Sequence, residues 1–176
     1  MSDTVNNFTI RKANINDASL ISVLASTTFY EAYFEQDESA NLAGYISEAF
    51  NKKKIASELN DPDITFLIIF HSGKAVGYAK LGRNSTLECI GSANSIELKR
   101  IYILERVYGK KFGAALLEYC LTLAKDCGFE TLWLQVWEEN LRAQKFYAKY
   151  DFRIVGKVEI PYGDVIGVNL VLEKKL

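Results

Sequence analysis

In residues 100–119, RIYILERVYGKKFGAALLEY, an apolar run of strand character meets a glycine and two lysines, after which small and apolar residues resume at helical spacing. A strand passing so directly into a helix implies a layered fold with helices on the faces of a sheet, because both elements bury a face against a common core. The junction offers a helix N-terminus, whose unpaired N–H groups and positive dipole end suit a phosphate. Lys110 and Lys111 add charge at the same place. A tight turn at Gly109 with solvated lysines is the other reading of these residues. Neither G-x-G-x-x-G nor G-x-x-x-x-G-K-[ST] occurs in the chain, which excludes those dinucleotide and nucleotide-hydrolysis loops.

The same alternation of strands and helices runs through the chain. FTIRKA (8–13) reads as a strand, followed by a helix with Asn14 as N-cap and Asp17 placed to favour its dipole. A second helical region covers about 38–59 and stops at Asp61-Pro62. Two strands, TFLIIF and AVGYAKL, join through a turn containing Ser72-Gly73, and a polar loop, GRNSTLECIGSANS, leads to a strand over about 95–104. A helix over 109–127 carries Phe112, Leu116, Leu117, Cys120, Leu121 and Ala124 on one stripe, with Gly128 as its C′ residue. A strand (131–137), a short helix (141–150) and a last strand pair, about 152–160 and 165–172, complete the order.

Composition narrows the chemistry. With 176 residues, 49% hydrophobic and 24% charged, the chain has the makeup of one globular domain spanning 1–176. The net charge, 21 − 22 = −1, argues for neither a nucleic-acid partner nor a membrane surface. No apolar run suits a membrane span and MSDTVNNFT has no apolar core of the signal-peptide kind, so a cytoplasmic protein is expected. Cys89, Cys120 and Cys127 show no C-x-x-C spacing, and all three are expected in or near the core, with no metal bound. His71 is the only histidine and falls at the hairpin turn, which disfavours Ser-His-Asp and Cys-His nucleophiles. Chemistry then rests on carboxylates, tyrosines, backbone groups or a cofactor.

Residues 97–152 resemble the core of the GNAT superfamily of acyl-CoA-dependent N-acetyltransferases, whose phosphate loop reads Q/R-x-x-G-x-G/A. YGKKFG falls on that pattern with Tyr108 at the Gln/Arg position, Lys111 at the first glycine and Gly113 at the second. VWEENLRAQKFYAKYDF (136–152) resembles the family segment N-x-x-A-x-x-F-Y-x-K-x-G-F, with Asn140, Ala143, Phe146, Tyr147, Lys149 and Phe152 in place and Asp151 where glycine is usual. TTFYEAYFEQDESANLAGYISEAF, IELKRIYI and LQVWEEN are similar to PaiA-type spermidine/spermine acetyltransferases.

The resemblance implies an α/β (α+β) GNAT fold, a single mixed, mostly antiparallel twisted sheet of about six to seven strands flanked by about four helices. It implies acetyl-CoA as cofactor, with the pyrophosphate over Tyr108, Gly109, Lys110, Lys111, Phe112, Gly113 and Ala114, and the main chain of Ile101, Tyr102 and Ile103 pairing with the pantetheine amides. Asn140, Ala143, Phe146, Tyr147 and Lys149 join the cofactor set, although Asn140 also suits a plain helix cap and Tyr147 a plain core position. Acetyl transfer needs a neutral amine, a held thioester, oxyanion donors and a proton for the departing thiolate. In that scheme Tyr147 is the general acid, and Glu97, expected at the exposed start of its strand, takes the amine's proton directly or through water.

Charge placement bears on the acceptor. Between residues 13 and 51 there is no Lys or Arg, while Asp17, Glu31, Glu35, Asp37, Glu38 and Glu48 are acidic. In the family this region forms one wall of the acceptor site and the EIPYGD hairpin part of the other, which implies Glu31, Phe34, Glu35, Asp37, Tyr162 and Asp164 as acceptor contacts. Acidic walls attract polycations, so spermidine or spermine is the expected acceptor; solvated helix faces are the other reading. The alternatives are a peptide N-terminus or lysine as acceptor, or a non-catalytic acyl-CoA-binding regulator. A homodimer is compatible with the family.

Overall fold

The structure is a computed structural model and describes residues 8–162 and 165–176. Among these lie strands β1 (Phe8–Lys12), β2 (Ile64–His71), β3 (Lys74–Gly82), β4 (Ser95–Ile103), β5 (Thr131–Trp137), β6 (Arg153–Tyr162) and β7 (Val165–Lys175). The helices are α1 (Ala18–Tyr33), α2 (Ser39–Ala49), α3 (Lys52–Leu59), α4 (Phe112–Asp126) and α5 (Leu141–Ala148), with 3-10 turns at Ile15–Asp17 and Glu105–Val107. The strands form one sheet in the order β1-β2-β3-β4-β5-β7-β6. β1 and β2, β5 and β7, and β6 and β7 run antiparallel, while β4 and β5 are parallel, so the sheet is mixed as expected.

Among the described residues there are five α-helices where about four were expected, because the region 38–59 is two helices. Phe50 leaves the helical region at φ −121° and ψ 12°, and Asn51 restarts the chain by accepting the Lys54 N–H at 2.9 Å. Phe50 is 1% exposed, so its burial anchors the break. The cap expected on the first helix falls on the 3-10 turn Ile15–Asp17 that leads into α1, whose own N-cap residue, Asp17, makes no side-chain cap bond. Asn14 and Asp17 form a capping box, and the Arg11 guanidinium on Asp17, at 2.8 Å, holds that carboxyl below its usual range.

The chain forms two compact units. One holds the described residues through Lys80 together with Arg100–Tyr119. Its core is the inward face of α1 (Ile21, Leu24, Ala25, Phe29) packed with Leu42, Ile55, Phe66, Ile68 and Tyr78. Each large apolar side chain removed from water there contributes about 1.5–3 kcal/mol. The second unit holds Leu81–Lys99 and Cys120–Leu176, with Trp133, Ile90 and Val171 at its own centre. β4 and α4 contribute residues to both units.

The cysteines separate by environment. Cys120 is buried in α4, and burial pushes its thiol up to about 12, while Cys89 is half-buried. Cys127 is exposed, contrary to its expected place near the core, because α4 ends at Asp126 and the apolar stripe stops before it. Among the described residues no helix is long and apolar enough to cross a membrane, and no group of three or more His, Cys, Asp or Glu is placed to hold a metal ion.

Candidate active site

In the first unit, β4 ends at Ile103 and the Glu105–Val107 turn carries the chain to the start of α4. The turn is closed by Val107 N–H to the Leu104 carbonyl (3.1 Å) and Tyr108 N–H to the Glu105 carbonyl (2.9 Å). Gly109 has φ +82°, a conformation that glycine adopts at no steric cost. Lys111 follows at φ +63° and is the last residue before α4. The carbonyl of Lys111 accepts the Ala115 N–H at 3.0 Å, so the N–H groups of Phe112, Gly113 and Ala114 precede the first bonds of the helix. A Cβ at Gly113 would meet nothing nearer than Ile103 Cγ1 at 3.8 Å, so the protein itself has room for a side chain there.

Side chains around this junction are largely structural. The Phe112 ring is buried against Phe8 (6.1 Å) and His71 (4.9 Å), which leaves only its main chain to offer a ligand. Tyr102 stacks on Tyr78 at 6.0 Å, and burial pushes its hydroxyl well above the usual tyrosine value. Ile103 is buried, Ile101 half-buried, and Tyr108, Lys110 and Lys111 are exposed. His71, at the end of β2, has a ring contact with Phe112 and belongs to this packing.

The expected acceptor wall divides. Glu31 accepts the Glu105 N–H at 2.9 Å and lies 3.7 Å from Arg106, so it braces the turn after β4. Asp37 accepts the Glu38 N–H (2.8 Å) and the Asn41 side-chain amide (3.0 Å) at the start of α2. Glu35 is exposed, as is Phe34, whose ring lies 5.8 Å from Tyr30. Asp164 lies outside the described residues, and of Tyr162 the backbone, in β6, is described.

In the second unit Glu97 is 7% exposed, not at an exposed strand start as its position suggested. β4 begins two residues earlier and pairs in parallel with β5 through Ser95–Thr131, Ile96–Leu132 and Glu97–Trp133, which draws Glu97 into the sheet. Its carboxylate takes Lys99 Nζ at 2.5 Å and lies 3.5 Å from the Gln135 amide, and Lys99 also donates to Ser85 Oγ at 2.6 Å. Lys99, Ser85 and Gln135 went unnoticed in the sequence; the alternation of Glu97 and Lys99 on one strand face is the signal that marks the pair.

Asn140 caps α5 through its side-chain oxygen, which accepts the Ala143 N–H at 3.0 Å. Tyr147 is 8% exposed, between the rings of Phe146 (5.2 Å) and Phe152 (5.5 Å). Ala143 and Phe146 are half-buried and Lys149 exposed. Asp151 has φ +62°, the conformation that explains glycine as the family's usual choice there, and its carboxylate lies 3.5 Å from Lys174.

A strand–turn–helix unit of this kind, with main-chain donors ahead of the first helical bond, agrees with what a comparison of sequences finds: the model of the Acetyltransferase (GNAT) family matches residues 24–152. The chain belongs to that family. An uncharacterized N-acetyltransferase of Mycobacterium tuberculosis is 33% identical over 142 residues, covering 81% of this chain and 86% of that protein. The spermidine N(1)-acetyltransferase of Thermoplasma acidophilum is 28% identical over 170 residues, 94% of this chain and 96% of that one. In three dimensions the chain resembles the PaiA N-acetyltransferase of Thermoplasma acidophilum, crystallised in complex with coenzyme A, with a TM-score of 0.78 and 26% identity over 100% of both chains.

This GNAT chain is thus an N-acetyltransferase with acetyl-CoA as its donor. Its own residues fit that cofactor. The α4 N-terminus presents N–H groups ahead of its first helical bond, Gly113 leaves the approach open, and residues 108–114 contain no carboxylate to repel phosphate.

Proposed function

We propose that residues 1–176 act as one acetyltransferase domain that passes the acetyl group to a primary amine by direct attack in a ternary complex, with a polyamine as acceptor. The main-chain N–H groups at the start of α4 carry the reading, since they supply a cradle that needs no particular side chain. Acetyl-CoA supplies the thioester whose acetyl carbon the amine attacks. Residues 108–114 would hold its pyrophosphate and the main chain of Ile101–Ile103 its pantetheine arm.

Glu97, held by Lys99 and Gln135, receives the proton the amine loses. Tyr147 gives its phenolic proton to the departing sulfur, which phenol and thiol acidities of roughly 10 and 8.5 permit at modest cost. With Cys120 buried and its thiol pushed up to about 12, that residue does not serve as an acyl carrier, in keeping with direct transfer.

Polyamine as acceptor draws support from the spermidine N(1)-acetyltransferase and PaiA likenesses and from the exposed carboxylates Glu35 and Glu38. Glu31 and Asp37 have partners within the chain and contribute less. The test is purified protein with acetyl-CoA and a panel of spermidine, spermine and monoamines, with thiol release and acetylated product measured. Amine-dependent release with polyamines preferred is the expected result. Binding of acetyl-CoA without release for any amine would make the chain a regulator.

A further inference from the structure

α1 is apolar on two faces. Ile21, Leu24, Ala25 and Phe29 fill the core of the first unit. On the far side Leu20 (37% exposed), Val23 (66%), Tyr30 (36%) and Phe34 (56%) face water, with Thr27 half-buried between them. Positions 20, 23, 27, 30 and 34 are separated by alternate steps of three and four, the spacing of a helix that packs along a second helix. Phe34, the C-cap residue, keeps helical φ −55° and ψ −40°, so the stripe runs unbroken through it. The Thr27 hydroxyl donates to the Val23 carbonyl at 2.9 Å, which satisfies it within its own helix.

A second observation is charge. In a chain with 24% charged residues α1 holds a single one, Glu31, and its carboxylate accepts the Glu105 N–H. The face of a helix opposite its core ordinarily carries charged residues, and this stripe carries none. Charge is sorted to its two ends instead. Lys12 is exposed just ahead of the helix and Glu38 is exposed just beyond it. There the contact of Tyr30 Oη with Ser39 Oγ, at 3.3 Å, holds the start of α2 beside the stripe. A surface with an uncharged middle and opposite charges at its ends is complementary to itself, which is what a two-fold contact requires.

We propose that the stripe is an interface between two copies of this chain, in which α1 packs antiparallel on the partner's α1. In a two-fold seam centred on Thr27, Phe34 lies over the partner's Leu20 and Tyr30 over the partner's Val23, so a larger side chain meets a smaller one in each pair. Charge sets the direction. A parallel pairing would lay Glu35 and Glu38 against their own copies. The antiparallel one separates them by the length of the helix, about 24 Å for its 16 residues, and brings Glu38 to the partner's Lys12. The interface does not depend on which acceptor the enzyme uses. Of the two exposed acids that favour a polyamine, the seam takes Glu38 and leaves Glu35, and Phe34 becomes an interface residue instead of an acceptor contact.

Sedimentation equilibrium of the full chain over about 1–100 µM tests the interface, with a dimer as the expected species. Val23→Glu puts a carboxylate into the seam at a largely exposed position, and should raise the dimer Kd about a hundredfold or more. Lys12→Glu and Glu38→Lys should each raise it about fivefold through two symmetric contacts, and the double variant should return it close to its starting value. Thermal melts show that each variant folds, and the midpoint of the unchanged chain should rise with protein concentration.

A folded monomer throughout the range overturns the interface and leaves the stripe to a different partner. A dimer that Val23→Glu leaves intact lies on another face and overturns it equally. A dimer broken by Val23→Glu but not restored by the charge swap overturns the antiparallel arrangement. Should Val23→Glu not fold, the swap of Lys12 and Glu38 decides, since both are exposed.

Discussion

The segment entering α4 and the segment leaving α5 share a conformational oddity and put it to different use. Lys111 has φ +63° and Asp151 φ +62°, each at a place where the family's pattern has glycine. Aspartate tolerates the left-handed region better than lysine does, and Asp151 adds a contact with Lys174 at 3.5 Å. Lys111 carries no such compensation from its residue type. At the first segment the groups proposed to hold the cofactor are main-chain N–H donors, and a lysine in the loop keeps its glycine-like path. At the second, side chains matter: Asn140 caps, Tyr147 is packed between two rings, and Phe152 is buried behind them. A site made of main chain tolerates sequence change, whereas one made of packed side chains does not.

Tyr147→Phe tests the side-chain half and carries the largest expected effect. It keeps the ring and its packing but removes the proton, so kcat should fall about 10²-fold while acetyl-CoA affinity holds. Full turnover in the folded variant returns Tyr147 to the core and erases the contrast. Gly113→Asp tests the main-chain half. A carboxylate among the cradle's N–H groups should weaken acetyl-CoA binding about tenfold or more, yet an acid in the first helical turn favours the helix, so thermal stability should hold. Unchanged binding by calorimetry removes the loop from the site.

Lys111→Gly separates conformation from charge. Relief of the left-handed strain, less the extra freedom glycine gains in the unfolded chain, should raise stability by about 1 kcal/mol in denaturant melts. Acetyl-CoA affinity should hold if the backbone does the binding, and drops if the lysine side chain does. Asp151→Gly is the smallest test, at about 0.3 kcal/mol in either direction, because the strain is milder and the Lys174 contact is lost with it. A change as large as that of Lys111→Gly would mean the two positions are strained alike.

Much of this was readable from local pattern. β5 at Thr131–Trp137 falls on the expected 131–137, Asn14 caps the 3-10 turn that leads into α1, and Asn140 caps α5. These features depend on neighbours within a few residues, which a linear pattern records. The break at Phe50 carries no glycine or proline, its one local signal being the cap residue Asn51, and what ends α2 is a core that takes the Phe50 ring. Glu97 was placed at the surface because nothing near it in sequence shows that Ser95 and Ile96 pair with β5.

The sequence by itself determined the order of elements, the loop and α5 motifs, and through them the family and its donor. Tertiary structure decided which charges are available. It assigned Glu31 to the Glu105 amide, Asp37 to the start of α2, Glu58 to Lys80, and Arg100 to the Tyr45 hydroxyl and the Phe50 ring. The physical reason is range. Helix caps, turns and apolar periodicity arise from residues adjacent in the chain, whereas the partner of a charge is whatever the fold brings within a few ångströms, from any distance in sequence.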